Sequence, residues 1–206
     1  MTIAFQFDPA KHLFTVDGVT VPSVTQILKS VGLINFAGIP ASVLNHKRDV
    51  GSAVHLATHY LDEDALDWST VSEECEPYVR AYESFKRNSG FEPELIEYKS
   101  VAQVDGMRFG MIVDRTGVIG GKPTLLELKT GEPSASWPVQ LAGYKLGLGG
   151  VRQRVALQLT KKGKYKIHTF ADRNDEPIFK AALALCCWKR NVKLEEDADG
   201  NPSIGD

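Results

Sequence analysis

Apolar and polar residues alternate in the first 21 residues, on both sides of the dipeptide Asp17-Gly18. Alternation is typical of a strand with one buried face, and Asp-Gly between two such runs is a hairpin signal. We therefore expect a β-hairpin here. Ser23 follows, with Gln26 three positions later and apolar residues immediately after it. This spacing is that of a capping box, which predicts a helix to about Val31.

Two more helices are predicted before residue 90. Apolar positions at helical spacing indicate one helix from about Val50 to Leu61, followed by an acidic loop at residues 62–67. Thr70, with a glutamate three residues later, indicates the start of the next helix. We expect that helix to end at Ser89-Gly90, since glycine commonly terminates helices.

Beyond residue 90 the pattern changes to short apolar runs separated by turn residues, which predicts strands. The predicted strands span residues 95–104, 107–116, 124–130, 151–160 and 164–171. Helical spacing recurs at about residues 137–148 and 174–191. This order predicts an α/β or α+β fold with a central mixed β-sheet of about five strands flanked by helices.

The 206 residues contain no repeat and no linker, so we expect one domain over residues 1–194. Its hairpin and first helices occupy residues 1–90, and its core occupies residues 91–194. Residues 195–206 hold five acidic and no basic residues, which predicts a disordered, solvated tail. Without this tail the formal charge is +3 rather than −2, a balance that permits nucleic-acid binding without arguing for it.

Composition argues against several classes of protein. A hydrophobic content of 43% with 24% charged residues is typical of a globular domain, and no apolar run approaches the roughly 20 residues of a membrane span. Charges within the first dozen residues leave no visible signal peptide, so we expect a cytoplasmic protein without a membrane partner. Three cysteines are too few for a disulfide framework or an iron–sulfur cluster, and we expect neither.

The candidate chemistry lies between Gly110 and Tyr144. Asp114 ends one apolar run, and Glu127 and Lys129 lie two residues apart within the next. Side chains at positions i and i+2 of a strand project to the same face, and the turn between the runs allows Asp114 to lie on the neighbouring strand. Two carboxylates and an amine that converge in this way predict a divalent-cation site for phosphodiester hydrolysis.

A second Glu-x-Lys sequence complicates this assignment, because Glu97 and Lys99 have the same spacing. Such a pair is most often a cross-strand charge pair on a solvated face. Glu127 has an acid across a hairpin, whereas Glu97 has only Glu94, on its own segment. We therefore choose the copy at Glu127 and expect Glu97 to line the sheet edge, with an accessory role near a metal left open.

Three further side chains are candidates for the same site. His55 lies on a predicted helix, four residues after Gly51, which would allow the helix to approach the sheet closely. His59 lies one turn later on the same face and is a rival. Gln140 and Tyr144 share one face of the helix after the Glu-x-Lys strand, where an amide and a phenol could bind phosphate oxygens.

Together these motifs resemble the PD-(D/E)XK nuclease superfamily, and within it the RecB-like exonuclease branch. The resemblance covers residues 50 to 145, and the N-terminal region is similar to phage and prophage members. Four motifs carry it, in order: Gly51-Ser-Ala-Val-His55, Gly110-Met-Ile-Val-Asp114-Arg115, Glu127-Leu-Lys129-Thr130-Gly131 and Gln140-Leu-Ala-Gly-Tyr144.

The resemblance implies a restriction-endonuclease-like core and a bound Mg²⁺ or Mn²⁺. His55, Asp114 and Glu127 would be its ligands, together with the Leu128 carbonyl. Lys129 would orient or help to deprotonate the attacking water and offset charge in the transition state. The three groups with a catalytic role would thus be Lys129, Asp114 and Glu127.

The resemblance also implies that Gln140 and Tyr144 hold the DNA strand, Tyr144 by contacting the backbone or stacking on a base. The expected function is an exonuclease that acts on single- or double-stranded DNA ends in phage-type recombination or repair, alongside an annealing or recombination protein. A structure-specific or sequence-specific endonuclease is an alternative. A non-catalytic DNA-binding module is a less favoured one, because every catalytic position is filled.

Overall fold

The computed structural model describes residues 3–150, 152–192, 194–196 and 202–204. The ten strands in this part of the chain are β1 (Gln6–Asp8), β2 (Leu13–Val16), β3 (Val19–Val21), β4 (Glu92–Val104), β5 (Met107–Ile119), β6 (Lys122–Lys129), β7 (Gln153–Leu159), β8 (Tyr165–Phe170), β9 (Leu194–Glu196) and β10 (Pro202–Ile204). The five α-helices are α1 (Val24–Ser30), α2 (Ala41–Asp62), α3 (Glu76–Ser89), α4 (Ser136–Leu148) and α5 (Asp175–Asn191).

A five-stranded sheet in the order β4-β5-β6-β7-β8 forms the centre of the domain. All neighbours in it are antiparallel except β6 and β7, which are parallel and are connected through α4. A parallel pair requires such a crossover connection. The predicted mixed five-stranded sheet is confirmed, and it is consistent with the restriction-endonuclease-like core that the resemblance implies.

Helices cover both faces of this sheet. Helices α1, α4 and α5 share one buried apolar cluster with β5 and β6, which includes Phe109, Leu125 and Phe179. Helices α2 and α3 contribute to a second cluster on the other face, which includes Val54 and Phe85. No helix in the described part of the chain has both the length and the apolar character needed to cross a membrane.

The predicted helix start at Ser23 is confirmed in atomic detail. The Ser23 N–H donates to Gln26 Oε1 over 2.9 Å, and the Gln26 N–H donates to Ser23 Oγ over 3.3 Å. The N-terminal hairpin also forms, with β2 and β3 on either side of Asp17-Gly18 and β1 added at its edge.

Two helices differ from the prediction in their boundaries. Helix α3 begins at Glu76 and not at Thr70, which lies in a short 3₁₀ turn from Trp68 to Thr70. Pro77 accounts for this difference: proline is tolerated in a first helical turn, but deeper in a helix it removes a hydrogen bond and clashes with the preceding turn. Helix α2 begins at Ala41, directly after Pro40, and not at Val50, and it extends to Asp62, the first residue of the predicted loop.

The acidic segment 195–206 lies mostly outside the described residues. Within it, the backbone of β10 pairs antiparallel with that of β9. The prediction that this segment is a disordered tail therefore stays a prediction.

A small three-stranded sheet formed by β1, β2 and β3 packs against the central sheet next to Gly110. The Gly110 N–H donates to the Pro22 carbonyl over 2.9 Å, and a Cβ atom at Gly110 would overlap the ring of Phe14. Phe14 is fully buried. The glycine of the Gly110–Arg115 motif is thus required for packing of the N-terminal sheet.

We therefore expect Gly110→Ala to lower the free energy of unfolding by about 1–3 kcal/mol, the usual cost of forcing extra volume into a packed core. Denaturant titration measures this change. Gly131→Ala is the control, because a Cβ atom there would meet no other atom within 4 Å. Equal stabilities for the two variants would show that Phe14 moves aside at no cost.

Candidate active site

The site lies where two neighbouring strands of the central sheet separate. Pairing of β5 with β6 ends at the pair Arg115–Leu126, whereas pairing of β6 with β7 continues to Lys129. The last residues of β6 therefore have no β5 neighbour. The Leu128 N–H, which lacks a backbone partner on β5, donates instead to Asp114 Oδ2 over 2.7 Å.

Strand register brings three acids into one row across this opening. On β4 and β5, the pairs Ile96–Arg115 and Tyr98–Val113 flank the position where Glu97 is opposite Asp114. The next position beyond Arg115–Leu126 on β5 and β6 is Asp114 opposite Glu127. Side chains at opposite positions of neighbouring strands lie on the same face and interact.

Glu97 belongs to this row although the sequence assigned it to the sheet edge. It does lie on an edge strand, since β4 has only β5 as a neighbour. Its φ of +47° is in the left-handed region, which non-glycine residues adopt rarely and often near functional sites. Asp114 precedes Glu127 by 13 positions but follows Glu97 by 17, so the acid that Glu97 meets is not found among the residues shortly before it.

His55 completes a group that can hold a metal ion. Its Nδ1 atom lies 3.5 Å from Glu97 Oε1 and 3.5 Å from Asp114 Oδ1. Among the described residues, the ligand atoms of His55, Glu97 and Asp114 all lie within 4.8 Å of one another. Burial disfavours the charged imidazole, but the charge of Asp114 and the hydrogen bond and charge of Glu97 outweigh burial and raise the pKa of His55 to about 9.

Glu127 lies beside this group and has one uncommitted oxygen. Its Oε1 accepts hydrogen bonds from Lys129 Nζ at 3.0 Å and from Gln140 Nε2 at 2.9 Å. Its Oε2 is buried and has no hydrogen-bond partner among the described residues. Burial, followed by the charge of Asp114, raises the pKa of Glu127 to about 7. A buried, unpartnered carboxylate oxygen is costly, and a bound cation would remove that cost.

Gln140 and Tyr144 form the wall behind Glu127. Gln140 Oε1 accepts from Lys129 Nζ over 2.9 Å, and Gln140 Nε2 donates to the Tyr144 hydroxyl over 3.0 Å. Burial, together with the charges of Glu127 and Asp114, raises the pKa of Tyr144 well above its ordinary value. Both α4 residues thus lie on the predicted face and reach the carboxylates through hydrogen bonds.

The exposure of these two side chains bears on their expected role in DNA binding. Only 6% of Gln140 and 4% of Tyr144 is exposed. A base cannot stack on a buried ring, so in this conformation Tyr144 orients Gln140. Direct contact of either residue with DNA stays a prediction.

The rival residues lie elsewhere. His59 Nε2 lies 3.2 Å from Glu63 Oε1, at the C-terminal end of α2. Lys99 Nζ lies 5.7 Å from the centre of the Phe7 ring, on the side of the N-terminal sheet. The structure thus places His55, and not His59, beside the acids. It likewise places Lys129 there, and not Lys99. The close approach expected at Gly51 is not sterically required, since a Cβ atom there would lie 3.6 Å from Thr130 Oγ1.

A buried ion pair behind the site was not predicted. Arg115 Nε donates to Asp62 Oδ2 over 2.6 Å, and both side chains are fully enclosed. Asp62 also accepts from the Tyr82 hydroxyl at 2.9 Å and lies 2.7 Å from Lys86 Nζ.

Arg115 connects this pair to the candidate metal ligands. Its Nη1 donates to Glu97 Oε1 over 3.3 Å and to the Asp114 carbonyl over 2.7 Å. Asp62 lies seven residues after His55, which places both on one face of α2. This spacing, together with the Asp114-Arg115 sequence in β5, is the signal in the sequence that could have indicated the pair of Asp62 and Arg115.

No family model matches the chain, and no curated protein does. Solved structures are similar to it in fold, among them the following two. The crystal structure of SSO0001 is 16% identical, with a TM-score of 0.40 over 68% of this chain and 74% of that chain. An alkaline exonuclease (LHK-Exo) from Laribacter hongkongensis is 14% identical, with a TM-score of 0.44 over 83% of this chain and 88% of that chain. Both TM-scores lie below 0.5, and the function of this chain is therefore inferred from its site residues.

We expect Asp62→Ala to lower the free energy of unfolding by about 3–5 kcal/mol, because it leaves the enclosed Arg115 without its main counter-charge. Chemical denaturation followed by circular dichroism measures this loss. Glu63→Ala is the control: it removes an exposed carboxylate on the next residue and should change stability by less than about 0.5 kcal/mol. A loss below about 1 kcal/mol for Asp62→Ala would mean that water or Glu97 replaces Asp62.

Proposed function

We propose that this protein is a metal-dependent nuclease that hydrolyses phosphodiester bonds in DNA. The observation that carries the proposal is the convergence of His55, Glu97, Asp114 and Glu127 in the opening between β5 and β6, with Lys129 hydrogen-bonded to the last of them. The order of the four motifs from Gly51 to Tyr144 supports the choice of nuclease over another metal-dependent hydrolase.

The donor set fits Mg²⁺ or Mn²⁺. Hard divalent cations prefer carboxylate and carbonyl oxygens, and Mn²⁺ also accepts imidazole. His55, Asp114 and Glu127 would hold the ion, and Glu97 joins them as a candidate. When bound, the ion would lower the pKa of a coordinated water and stabilise negative charge on the phosphate.

Leu128 is proposed to contribute its backbone carbonyl. In an extended strand, the N–H and C=O of one residue point to the same side, as they do in a hydrogen-bonded antiparallel pair. The Leu128 N–H is directed to Asp114 Oδ2. Its carbonyl therefore points into the same opening, where β5 no longer pairs with β6.

Lys129 is proposed to act at the reacting phosphate. An ammonium group has three donors, and Lys129 directs two of them at Glu127 Oε1 and Gln140 Oε1. One N–H remains for the attacking water or for a phosphate oxygen, where it would offset the charge that develops in the transition state. Gln140 and Tyr144 keep this donor in position and are proposed to support the DNA strand.

The proposed substrate is the end of a single- or double-stranded DNA molecule, as expected of an exonuclease of the RecB-like branch. A phage-type recombination or repair setting in the cytoplasm, with an annealing or recombination protein as partner, belongs to the same proposal. The motif resemblance supports these finer assignments.

A time course with end-labelled linear DNA and supercoiled circular DNA tests the reaction. With Mn²⁺, we expect the linear DNA to be degraded and the intact circle to be spared. Cutting of the circle would instead establish the endonuclease alternative. Binding of both DNAs without hydrolysis in any divalent metal would leave a non-catalytic DNA-binding module.

Metal binding should be detectable without a substrate. Mn²⁺ at about 100 times its Kd should stabilise the fold by about 2.7 kcal/mol, because a ligand of the native state shifts the unfolding equilibrium. A rise in Tm by scanning calorimetry measures this effect, and we expect Asp114→Asn to abolish it.

Asp105→Asn is the matched control for that substitution. Asp105 lies in an exposed turn before Gly106 with a φ of +50°, a conformation that asparagine tolerates. This variant should keep the Tm response of the wild type. An unchanged wild-type Tm with Mn²⁺, combined with full activity in chelator, would refute the metal centre.

The two Glu-x-Lys sequences can be separated by their lysines. Lys129→Ala should lower kcat by about 100-fold or more, the usual loss when one electrostatic group is removed from a reacting centre, and should leave Mn²⁺ binding intact. Lys99→Ala should retain nearly full kcat, because its amine lies beside Phe7. Single-turnover kinetics measures both, and a larger loss for Lys99→Ala would contradict the assigned roles.

A further inference from the structure

A cavity of about 570 Å³ lies at the end of the central sheet opposite to the candidate active site. Because β6 and β7 are parallel, their carboxyl ends are at the active-site edge and their amino ends border the cavity. Lys122 and Lys129 are at the two ends of β6. At about 3.3 Å per residue, they are roughly 23 Å apart. The cavity is therefore separate from the metal centre.

Positive charge predominates in the lining of this cavity. The charged residues that line it are Lys122, Lys145, Arg152, Arg154, Arg173, Asp172 and Glu176. Lys145 is paired with Glu176 over 2.6 Å, and Arg154 with Asp175 over 2.8 Å. Among the described residues, Lys122, Arg152 and Arg173 form no ion pair. Asp172 is the one acid that lines the cavity outside these pairs, and it accepts the Asn174 N–H over 2.9 Å.

The wall of the cavity is built around a buried guanidinium group. Only 5% of Arg154 is exposed, and it donates to the carbonyls of Pro138 and Asp172 over 3.1 Å and 2.9 Å. These bonds join the start of α4 to the loop that carries Arg173. The backbone position of this loop relative to α4 is therefore held by the fold itself.

Size and lining indicate the class of ligand. Cavities of about 300–1,000 Å³ are typical of small-molecule sites. The half-buried ring of Phe170 lines one side and gives an apolar surface on which a planar base can pack. Three unpaired cations beside an aromatic ring suit a group that combines phosphate with a base.

We propose that this cavity binds a phosphorylated nucleotide unit, either free or as part of a nucleic-acid strand. The preference for phosphate follows from the charges alone, whereas the choice of a nucleotide rests on the proposed function. A strand that reached from the metal centre to the cavity would need roughly seven steps of about 3.4 Å. The cavity would then hold a distal segment of the strand whose end is being cleaved.

The test uses the double variant Lys122→Glu/Arg173→Glu, whose altered side chains are both exposed. The matched control is Lys11→Glu/Arg87→Glu, which makes the same change in net charge at two exposed positions without ion pairs among the described residues. Binding is measured by calorimetry in chelator, so that a metal ion cannot recruit the phosphate. The probes are thymidine 5′-monophosphate and an oligothymidylate of roughly ten nucleotides, long enough to span both sites.

We expect the cavity variant to bind at least about 10-fold more weakly, while the control variant keeps the wild-type affinity. For the oligonucleotide, the slope of log K against log salt should fall by about 1.4, because two phosphate contacts are lost. A loss for both probes identifies a nucleotide pocket, and a loss for the oligonucleotide alone identifies a strand-binding site. Equal affinities for the cavity variant and the control, or no binding by the wild type, would overturn the proposal.

The Asp114→Asn variant separates this proposal from the catalytic one. It should lose hydrolysis and keep wild-type binding of both probes in chelator, because Asp114 does not line the cavity. Failure of the nuclease assay would therefore not affect the binding result for the cavity. Failure of the binding test would likewise not affect the result of the nuclease assay.

Discussion

The arrangement of this structure depends on how the negative charges of three carboxylates on neighbouring strands are compensated. Glu97, Asp114 and Glu127 face one opening, and like charges at such separations repel strongly when water is partly excluded. Three cations offset this repulsion: Arg115 behind the row, His55 above it and Lys129 at its end. Glu127 Oε2 has no hydrogen-bond partner among the described residues, and a cation bound there would complete the compensation.

The surrounding scaffold holds these charges at fixed positions. Helix α2 carries both His55 and Asp62, so that the ion pair of Asp62 with Arg115 positions the imidazole relative to β5. A further contact supports this arrangement, because Arg115 Nη2 lies 3.4 Å from Thr58 Oγ1, and Thr58 in turn donates to the His55 carbonyl. On the other side, Gln140 is hydrogen-bonded to both Lys129 and Glu127. Each group at the site thus has a second contact that fixes its orientation.

Several of the residues in the motifs have a structural role as well as a chemical one. Gly110 leaves the space that the Phe14 ring fills. Arg115 donates hydrogen bonds to the enclosed Asp62 and to the half-buried Glu97. Asp114 replaces the backbone partner that Leu128 loses when β5 and β6 separate. A motif of this kind serves both packing and catalysis. A substitution within it can therefore affect both, and a control variant is needed to tell the two effects apart.

The sequence by itself determined the order of the elements, because strand alternation, helical spacing and caps are local properties. It was sufficient for the mixed five-stranded sheet, for the capping box at Ser23 and for the placement of Gln140 and Tyr144 on one face of α4. It also narrowed the histidine of the site to His55 or His59, and the lysine of the site to Lys99 or Lys129. The start of α3 was missed although Pro77 is a local signal.

Only the tertiary structure decided which acids meet. Glu97 and Asp114 are 17 positions apart, and their proximity depends on the register of β4 against β5, which is determined by the packing of both sheet faces. The partnership of Asp62 with Arg115 depends on the docking of α2 over the sheet. The unpaired cations that line the cavity opposite the active site come from the start of β6, from the residue before β7 and from the loop after β8. Contacts between distant segments form because apolar surface is buried. The spacing of polar residues along the chain does not indicate which of them this burial brings together.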